Sequence, residues 1–568
     1  MTGAEILMRA LIDEGVDTLF GYPGGAIMPV YDALYDYTDR LNHVLVRHEQ
    51  GAAHAAEGYA RVSGKVGVCM VTSGPGATNT ITGIADAMMD STPIVVIMGQ
   101  VGAQLLGSDA FQECDVVDVT MPISKWSYQI RSASDVAWAV SRAFYIARTG
   151  RPGPVVLDFT KSAQVEQAEY IPTRVDFIRS YIPVPKTEPD SLVTAAKLIN
   201  AAQRPLVLVG QGVELGAANE EVRAFVDKTG IPYAATLHGL SALPSDHPLY
   251  VGMLGMHGSF ASNKNTQKAD LIIAIGMRFD DRITGRLDNY APTAKKIHFE
   301  IDPAEVNKNV KVDVAVLGDC KSTVAAVTQL VNPAQHKEWR ESFRAYDLRE
   351  QELVIEPQLH PTSGPLLMGE VVRRVSELSD NKAIVCTDVG QNQMMAARYA
   401  LFSQPRSLAT SGGMGTMGYG LPAAIGATYG APDRTTCVFM GDGGFQMVVQ
   451  ELGTIMEYNR PVKMILLDNE YLGNVRQWQE LFFNHRYSFT PMRNPNFCQI
   501  AAAYGIPART LVERAELDTA IREMLDTEGP FLLHVAVKPE DNIWPMVYPG
   551  TSLDDMILIA EGDKVIKE

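Results

Sequence analysis

The sequence predicts an α/β fold of three doubly wound domains with mainly parallel sheets. Three observations carry that expectation. Short, continuously apolar runs recur along the chain, at 66–72 (VGVCMVT), 93–99, 154–158 (PVVLD), 205–210 (PLVLVG), 271–276, 297–302, 383–387, 436–441 and 462–468. Helical patterns separate them, so the strands read as parallel and covered on both faces. Two stretches rich in proline and charge, 163–190 and 333–365, interrupt the alternation and read as linkers. They divide the chain into domains at 1–165, 190–332 and 366–540, with a tail at 541–568.

In the first domain, residues 44–60 read VLVRHEQGAAHAAEGYA. An apolar run ends in charge, Glu49 follows, and the next residues are small. An acid at the head of a helix is favoured by the helix dipole. Taken alone, Glu49 is a helix-start residue beside a close-packed segment. In the second domain, Gly210-Gln211-Gly212 follows a strand. It is a fragment of the dinucleotide turn without the full GxGxxG.

The third domain carries the strongest motif. Gly441-Asp442-Gly443-Gly444 closes the strand at 436–440, and Asn469 stands 27 residues after Asp442, in LLDNEYLG. A helix over 446–458 returns the chain, so both side chains reach the same sheet edge, where α/β proteins bind ligands. A carboxylate and an amide oxygen suit a hard cation such as Mg²⁺. The glycines let backbone N–H groups approach an anion at a helix N-terminus. No GxxxxGK[ST] is present, which disfavours a P-loop nucleotidase.

Composition narrows the partners. The chain of 568 residues is 46% hydrophobic and 20% charged, ordinary globular material. Its net charge of −17 argues against nucleic acid and anionic membrane. No apolar run approaches the roughly 18 residues of a membrane span. The N-terminal sequence is acidic and helical, unlike a signal or transit peptide. Six scattered cysteines without a CxxC read as cytoplasmic and reduced, and disfavour zinc.

With these motifs in place, the chain resembles the thiamine-diphosphate enzymes, and within them the catalytic large subunits of acetohydroxyacid synthase (acetolactate synthase). The resemblance runs through nearly the whole chain: GYPGGA at 21–26, RHEQGAAH at 47–54, TSGPGATN at 72–79, DAFQE at 109–113, GRPGPV at 150–155, LGMHG at 254–258, RFDDRITG at 278–285, GTMGYGLPAA at 415–424 and VRQWQ at 475–479.

The resemblance implies an enzyme that decarboxylates pyruvate on thiamine diphosphate (ThDP) and joins the remaining two carbons to pyruvate or 2-ketobutyrate. Glu49 would hydrogen-bond the aminopyrimidine ring and switch on the cofactor, as an isolated carboxyl in an apolar pocket can hold a proton at neutral pH. Gly25, Gln112 and Lys161 would line the cofactor and substrate pocket. Met417 would prop the cofactor into a bent shape. Arg282 would grip the acceptor carboxylate, and Trp478 would shape the acceptor pocket.

Gln391, Gly441, Gly443 and Gly444 would hold ThDP, and Asp442, Asn469 and the main-chain oxygen of Tyr471 would hold Mg²⁺. FAD, without net redox work, would lie against Arg151, Gly210, Gly212, Thr236, Leu237, Leu254, Gly255, Met256, His257, Gly276, Arg278, Asp280, Arg282, Glu300, Ile301, Asp319 and Cys320. The resemblance further implies a homodimer or homotetramer with Glu49 and Asp442 meeting across the subunit interface, and a small regulatory subunit.

Several positions depart from the family pattern. Thr160 precedes Lys161 where proline is usual; 390–395 reads GQNQMM, with Asn392 and Met395; Asn474 stands in LGNV; and His238 stands in LHGLS. They bear on pocket polarity and substrate preference. A pyruvate oxidase or glyoxylate carboligase would share fold and cofactors. Arg282 and Trp478 favour the synthase, and Glu49 disfavours the carboligase. A non-catalytic relative should lack Glu49, Asp442 or Asn469, and all three are present.

Overall fold

The computed structural model describes residues 1–561 and 564–567. Three six-stranded sheets, every pairing parallel, carry the expected domains. All nine apolar runs become strands within a few residues of their expected bounds, and most are fully buried, as parallel strands covered by helices must be.

The N-terminal sheet runs in the order Asn42–Leu45, Thr18–Gly21, Gly67–Val71, Ile94–Gln100, Val155–Thr160, Trp126–Ile130. The C-terminal sheet repeats that topology with Leu408–Ala409, Ile384–Thr387, Thr436–Gly441, Val462–Asp468, Phe531–Ala536 and Ala508–Leu511. The central sheet differs. Its order is Val314–Leu317, Lys295–Glu300, Leu271–Ile275, Pro205–Val209, Tyr233–Ala235, Tyr250–Met253. Read from the other side, that is the dinucleotide-binding strand order, with its switch point between Pro205–Val209 and Leu271–Ile275. The two outer units meet face to face through helices Glu49–Ser63 and Gly420–Gly430. Small residues let the backbones touch: a Cβ on Gly58 would lie 2.0 Å from the Ala423 carbonyl oxygen, and one on Gly426 1.8 Å from that of Ala55.

Two expectations change. The 333–365 stretch is not a linker: Lys337–Glu350 is a helix that packs on the central unit. Trp339 and Phe343, one turn apart, are buried with Phe260, and the Trp339 indole donates to the Pro205 carbonyl at 2.8 Å. Charged residues elsewhere on that helix hid the apolar stripe. The tail is not an appendage either. Met546–Val547, Met556–Glu561 and Lys564–Lys567 form an antiparallel sheet, and Leu553, Met556 and Leu558 enter the central core. Among the described residues no helix is long and apolar enough to cross a membrane.

Candidate active site

The predicted site residues fall into three groups, each at the carboxyl edge of one sheet beside its switch point, where α/β sheets open a crevice.

The first group surrounds the loop after Gly67–Val71. Lys161 opens a short helix and donates to the Gly25 carbonyl at 3.2 Å. The Ala26 amide donates to Thr72 Oγ1 at 3.3 Å, which fixes the glycine turn to this loop. Gly74 has φ +56, and a Cβ there would lie 3.0 Å from that of Gln112. Gln112 itself sits in the left-handed region at φ 61. Glu49 is the first residue of helix Glu49–Ser63, and the His48 ring caps that helix by accepting from the Gln50 amide at 3.2 Å. The helix-start reading of Glu49 is thus met.

Glu49 is half-buried and is not the isolated carboxyl expected. Asn79, at the end of TSGPGATN, donates to its Oε2 at 2.9 Å. That amide fixes the carboxylate and leaves the other oxygen beside the Gly76 backbone. Thr160, where proline was expected, spends its hydroxyl on the Ile130 carbonyl at 2.9 Å and holds the edge strand rather than the site.

The second group lies at the ends of Thr436–Gly441 and Val462–Asp468, which pair in register up to Gly441 and Leu467. Asp442 and Asp468 thus stand side by side, and Asn494 donates to both, at 2.6 and 2.8 Å. Burial raises the Asp442 carboxyl to about 7. Burial also raises Asp468, but His534 at 2.9 Å and the Glu470 amide outweigh it, and Asp468 is held low. Asn469 donates to Gln391 at 3.0 Å, and its own Oδ1 accepts from the Tyr471 amide at 3.3 Å.

The expected single helix at 446–458 instead starts at Asp442 and breaks into Asp442–Met447 and Leu452–Tyr458. The earlier start puts the Gly443 and Gly444 amides in the first turn. No Cβ fits at either glycine: it would meet Leu472 at 2.7 Å or the Asp388 carboxylate at 2.2 Å. Met417 reaches the same spot, with its Cε 3.5 Å from a Gly443 Cβ. Asp388, missed in the sequence, is buried and accepts from the Gly418 and Gly420 amides, at 3.0 and 3.2 Å, which anchors the GTMGYG loop. The donors here, two carboxylates, an amide and nearby carbonyls, are all oxygen. That set fits a hard divalent cation, and the glycine cradle fits an anion beside it.

The third group lines a cleft of about 590 Å³. Of the residues expected around FAD, all line it except Gly210 and Gly255. Those two stand behind its wall: a Cβ on Gly210 would strike the Gly276 carbonyl at 2.3 Å, and one on Gly255 that of Arg282 at 2.4 Å. The cleft sits at the central switch point, where this strand order binds dinucleotides, and its volume is within the range of small-molecule sites.

Arg282 and Trp478 line the same cleft. The Arg282 guanidinium lies 3.8 Å from Asp281, while Asp280 turns its carboxylate to the Arg282 and Ile283 amides. The alternative of an ion pair with Asp280 or Asp281 is thus met at Asp281; that pair is long and solvent-exposed, and the guanidinium also reaches the Met256 sulfur at 3.5 Å, so an anion in the cleft would compete with weak partners. Trp478 packs edge-on against Phe482 with ring centroids 5.8 Å apart.

The departures find places too. His238 sits 3.1 Å from Asp90, which also accepts from Arg61 at 2.9 Å and from the Gly412 and Gly413 amides. Burial opposes the charge of Asp90, yet these partners hold its carboxyl well below the usual range. His238 thereby joins all three units at the cleft floor. Met395 is core. Asn392 donates to the Val389 carbonyl at 3.2 Å, close to Gly441. Asn474 lines the cleft. A further cluster, His54 and Glu57 on the Glu49 helix with Asp86 from helix Ile81–Met89, is fully buried and was not read from the sequence. Ser411 donates to Asp86 at 2.8 Å, so the cluster ties the outer units together.

Comparison with known proteins follows this division. Residues 1–119 match the description "Thiamine pyrophosphate enzyme, N-terminal TPP binding domain", 192–327 its central domain and 388–535 its C-terminal TPP binding domain. The chain is 44% identical to the acetolactate synthase isozyme 2 large subunit of Escherichia coli (strain K12) over 98% of this chain and 99% of that one. It is 43% identical to the acetolactate synthase large subunit of Corynebacterium glutamicum, over 98% and 90%. It is also 43% identical to a probable acetolactate synthase large subunit of Methanocaldococcus jannaschii, over 100% and 97%.

Proposed function

The chain belongs to the thiamine pyrophosphate enzymes, among the acetolactate synthase large subunits, and from that premise we propose the following assignment of roles to its residues. The reaction is acetohydroxyacid synthesis in branched-chain amino-acid biosynthesis. Two pyruvates and a proton give 2-acetolactate and CO₂; 2-ketobutyrate as acceptor gives 2-aceto-2-hydroxybutyrate. The observation that carries the assignment is that residues from nine separate sequence blocks gather at three switch points.

Bound thiamine diphosphate supplies the electron sink that a 2-ketoacid needs to lose CO₂. Glu49 would hydrogen-bond the pyrimidine ring, and Asn79 fixes its carboxyl in place. Met417, beside Gly443, would support the cofactor from the C-terminal side. Gln391 and the Gly441, Gly443 and Gly444 backbone receive the diphosphate. Asp442, Asn469 and the Tyr471 carbonyl take Mg²⁺. The ionised carboxylate of Asp442 is the form that would serve as a ligand, although burial favours its protonated form. Arg282 clamps the acceptor carboxylate, Trp478 bounds its side chain, and Gly25, Gln112 and Lys161 complete the wall. The large cleft would hold FAD.

On this reading the Glu49 edge of one chain closes on the Asp442 edge of a second, which makes a homodimer or homotetramer the working unit. The relatives' names, "large subunit", support a small regulatory partner, and biosynthetic relatives support a cytoplasmic location. The test is purified protein with pyruvate, ThDP, Mg²⁺ and FAD, scored for acetolactate with and without 2-ketobutyrate. Acetolactate as main product is expected. Acetyl phosphate or acetaldehyde instead would favour an oxidase or a decarboxylase.

A further inference from the structure

Asn474 is the one polar departure that lines the acceptor side of the cleft. It lies on helix Gly473–Phe482, four residues before Trp478, so the two side chains share one helix face. Both line the cleft that holds Arg282. Its Oδ1 is shut off from solvent and has no hydrogen-bond partner. Val389, Gly390, Met256 and Met414 line the same cleft, and their side chains offer no N–H or O–H donor. An amide in such company is an incomplete polar site. A terminal amide torsion is soft, so the group can turn toward whatever fills the space.

We propose that Asn474 selects an acceptor 2-ketoacid whose side chain carries a hydroxyl, in preference to one carrying a methyl at the same place. The proposal rests on the acetolactate synthase reading and deepens it. With the acceptor carboxylate on Arg282, its side chain points along the wall made by Trp478 and Asn474. A hydroxyl there completes the amide in either orientation, because it donates to Oδ1 or accepts from Nδ2. A methyl leaves the amide unpaired, and a buried unpaired polar atom is where discrimination becomes steep. Trp478 rewards size and Asn474 rewards polarity, so the pocket prefers a two-heavy-atom side chain ending in oxygen.

The step stays balanced for either acceptor. Pyruvate, R–CO–COO⁻ and one proton give CO₂ and CH₃CO–C(OH)(R)–COO⁻. The pyruvate C1–C2 bond breaks, a bond forms from its C2 to the acceptor C2, and the acceptor carbonyl oxygen takes the proton. No electrons enter or leave. The substrates that isolate the effect are 3-hydroxypyruvate (R = CH₂OH) and 2-ketobutyrate (R = CH₂CH₃), equal in heavy atoms.

The experiment is a competition between the two at equal concentration, with ¹³C-pyruvate as donor and the full holoenzyme, read as the ratio of the two labelled products by mass spectrometry. A ratio is independent of how much enzyme is folded. The wild type is expected to favour the hydroxymethyl product. Asn474→Leu should lower the ratio about tenfold, which corresponds to about 1.4 kcal/mol. Asn474→Ser, which keeps a polar group, should stay nearer the wild type. A wild-type preference for 2-ketobutyrate, a ratio unmoved by Asn474→Leu, or a fall in Asn474→Ser as large as in Asn474→Leu would each overturn the proposal. Acetolactate formed from pyruvate alone in the same assay shows that the parent reading stands when this one fails. Its absence sinks both.

Discussion

At the residue scale, the chemistry concentrates in a few side chains whose partners decide what they do. Glu49 is held by Asn79 at 2.9 Å and by its place at a capped helix start. Glu49→Ala removes the carboxyl without touching the cap, because His48 supplies that bond. We expect an unchanged far-ultraviolet circular dichroism spectrum and a loss of acetolactate formation of at least about a hundredfold, in the range of a lost acid–base group. Near-normal turnover would remove Glu49 from the cofactor's activation. Asp442 was singled out in the sequence by its glycines and by the spacing to Asn469, whereas Glu49 and Arg282 were singled out by the family resemblance of the blocks they sit in. Asp388, Asn494 and Asn79 carried no such mark. Asp388 and Asn494 are single polar residues in unremarked stretches, and Asn79 closes TSGPGATN with no spacing of its own; the role of each appears only once distant segments stand side by side.

At the element scale, the fully buried strands were readable because burial on both faces leaves an unbroken apolar run. The edge strands Trp126–Ile130 and Ala508–Leu511 were not, since one side of each meets solvent and the run is broken by Ser127, Gln129 and Arg509. The helix at Lys337–Glu350 was lost for a related reason: its stripe is narrow and charge surrounds it. The contact between the Glu49 helix and the C-terminal unit makes a pH prediction. Glu451 is buried between them and accepts from the Arg47 amide at 3.1 Å and from Thr454 at 2.7 Å. Burial raises its carboxyl to about 7 despite these bonds. A folded value above the unfolded 4.5 means that the unfolded chain ionises first. Its contribution to stability is therefore complete below pH 4.5 and is lost as pH rises through about 7. In denaturant titrations at pH 5, 6, 7 and 8, Glu451→Gln should flatten that part of the wild-type decline. A parallel decline in the variant would place the cause elsewhere.

At the scale of the whole molecule, strand order was the part the sequence could not supply. Nothing in an apolar run says which neighbour it takes, so neither the shared topology of the outer units nor the dinucleotide order of the central one was legible. The tail was misjudged on the same ground. Its strands pair with one another, but its apolar residues serve a core about 300 positions away, the sequence distance from Phe260 to Leu558. Leu558→Ala should cost about 2–5 kcal/mol, the usual range for a buried leucine, and should lower the thermal midpoint. A loss below about 0.5 kcal/mol, the scale of an ordinary surface change, would mean that the tail does not belong to that core.

The same scale holds the question of which chain completes the site. Among the described residues Glu49 is hydrogen-bonded to Asn79 of its own unit, while Met417 and Asp442 cluster on the other outer unit around Gly443 and Asn494. Co-expression of Glu49→Gln chains with Asp442→Asn chains separates the cases. If each site takes its acid from one chain and its metal ligands from another, a mixed dimer has one intact site and one doubly defective site. Random pairing makes half of the dimers mixed, so about a quarter of wild-type activity should return. If each chain builds its own site, every site in the mixture carries one lesion, and activity should stay at the level of the separate variants. Recovery that scales with the fraction of mixed dimers, resolved by two affinity tags, would tie the activity to the shared site, and its absence would return Glu49 and Asp442 to a single chain.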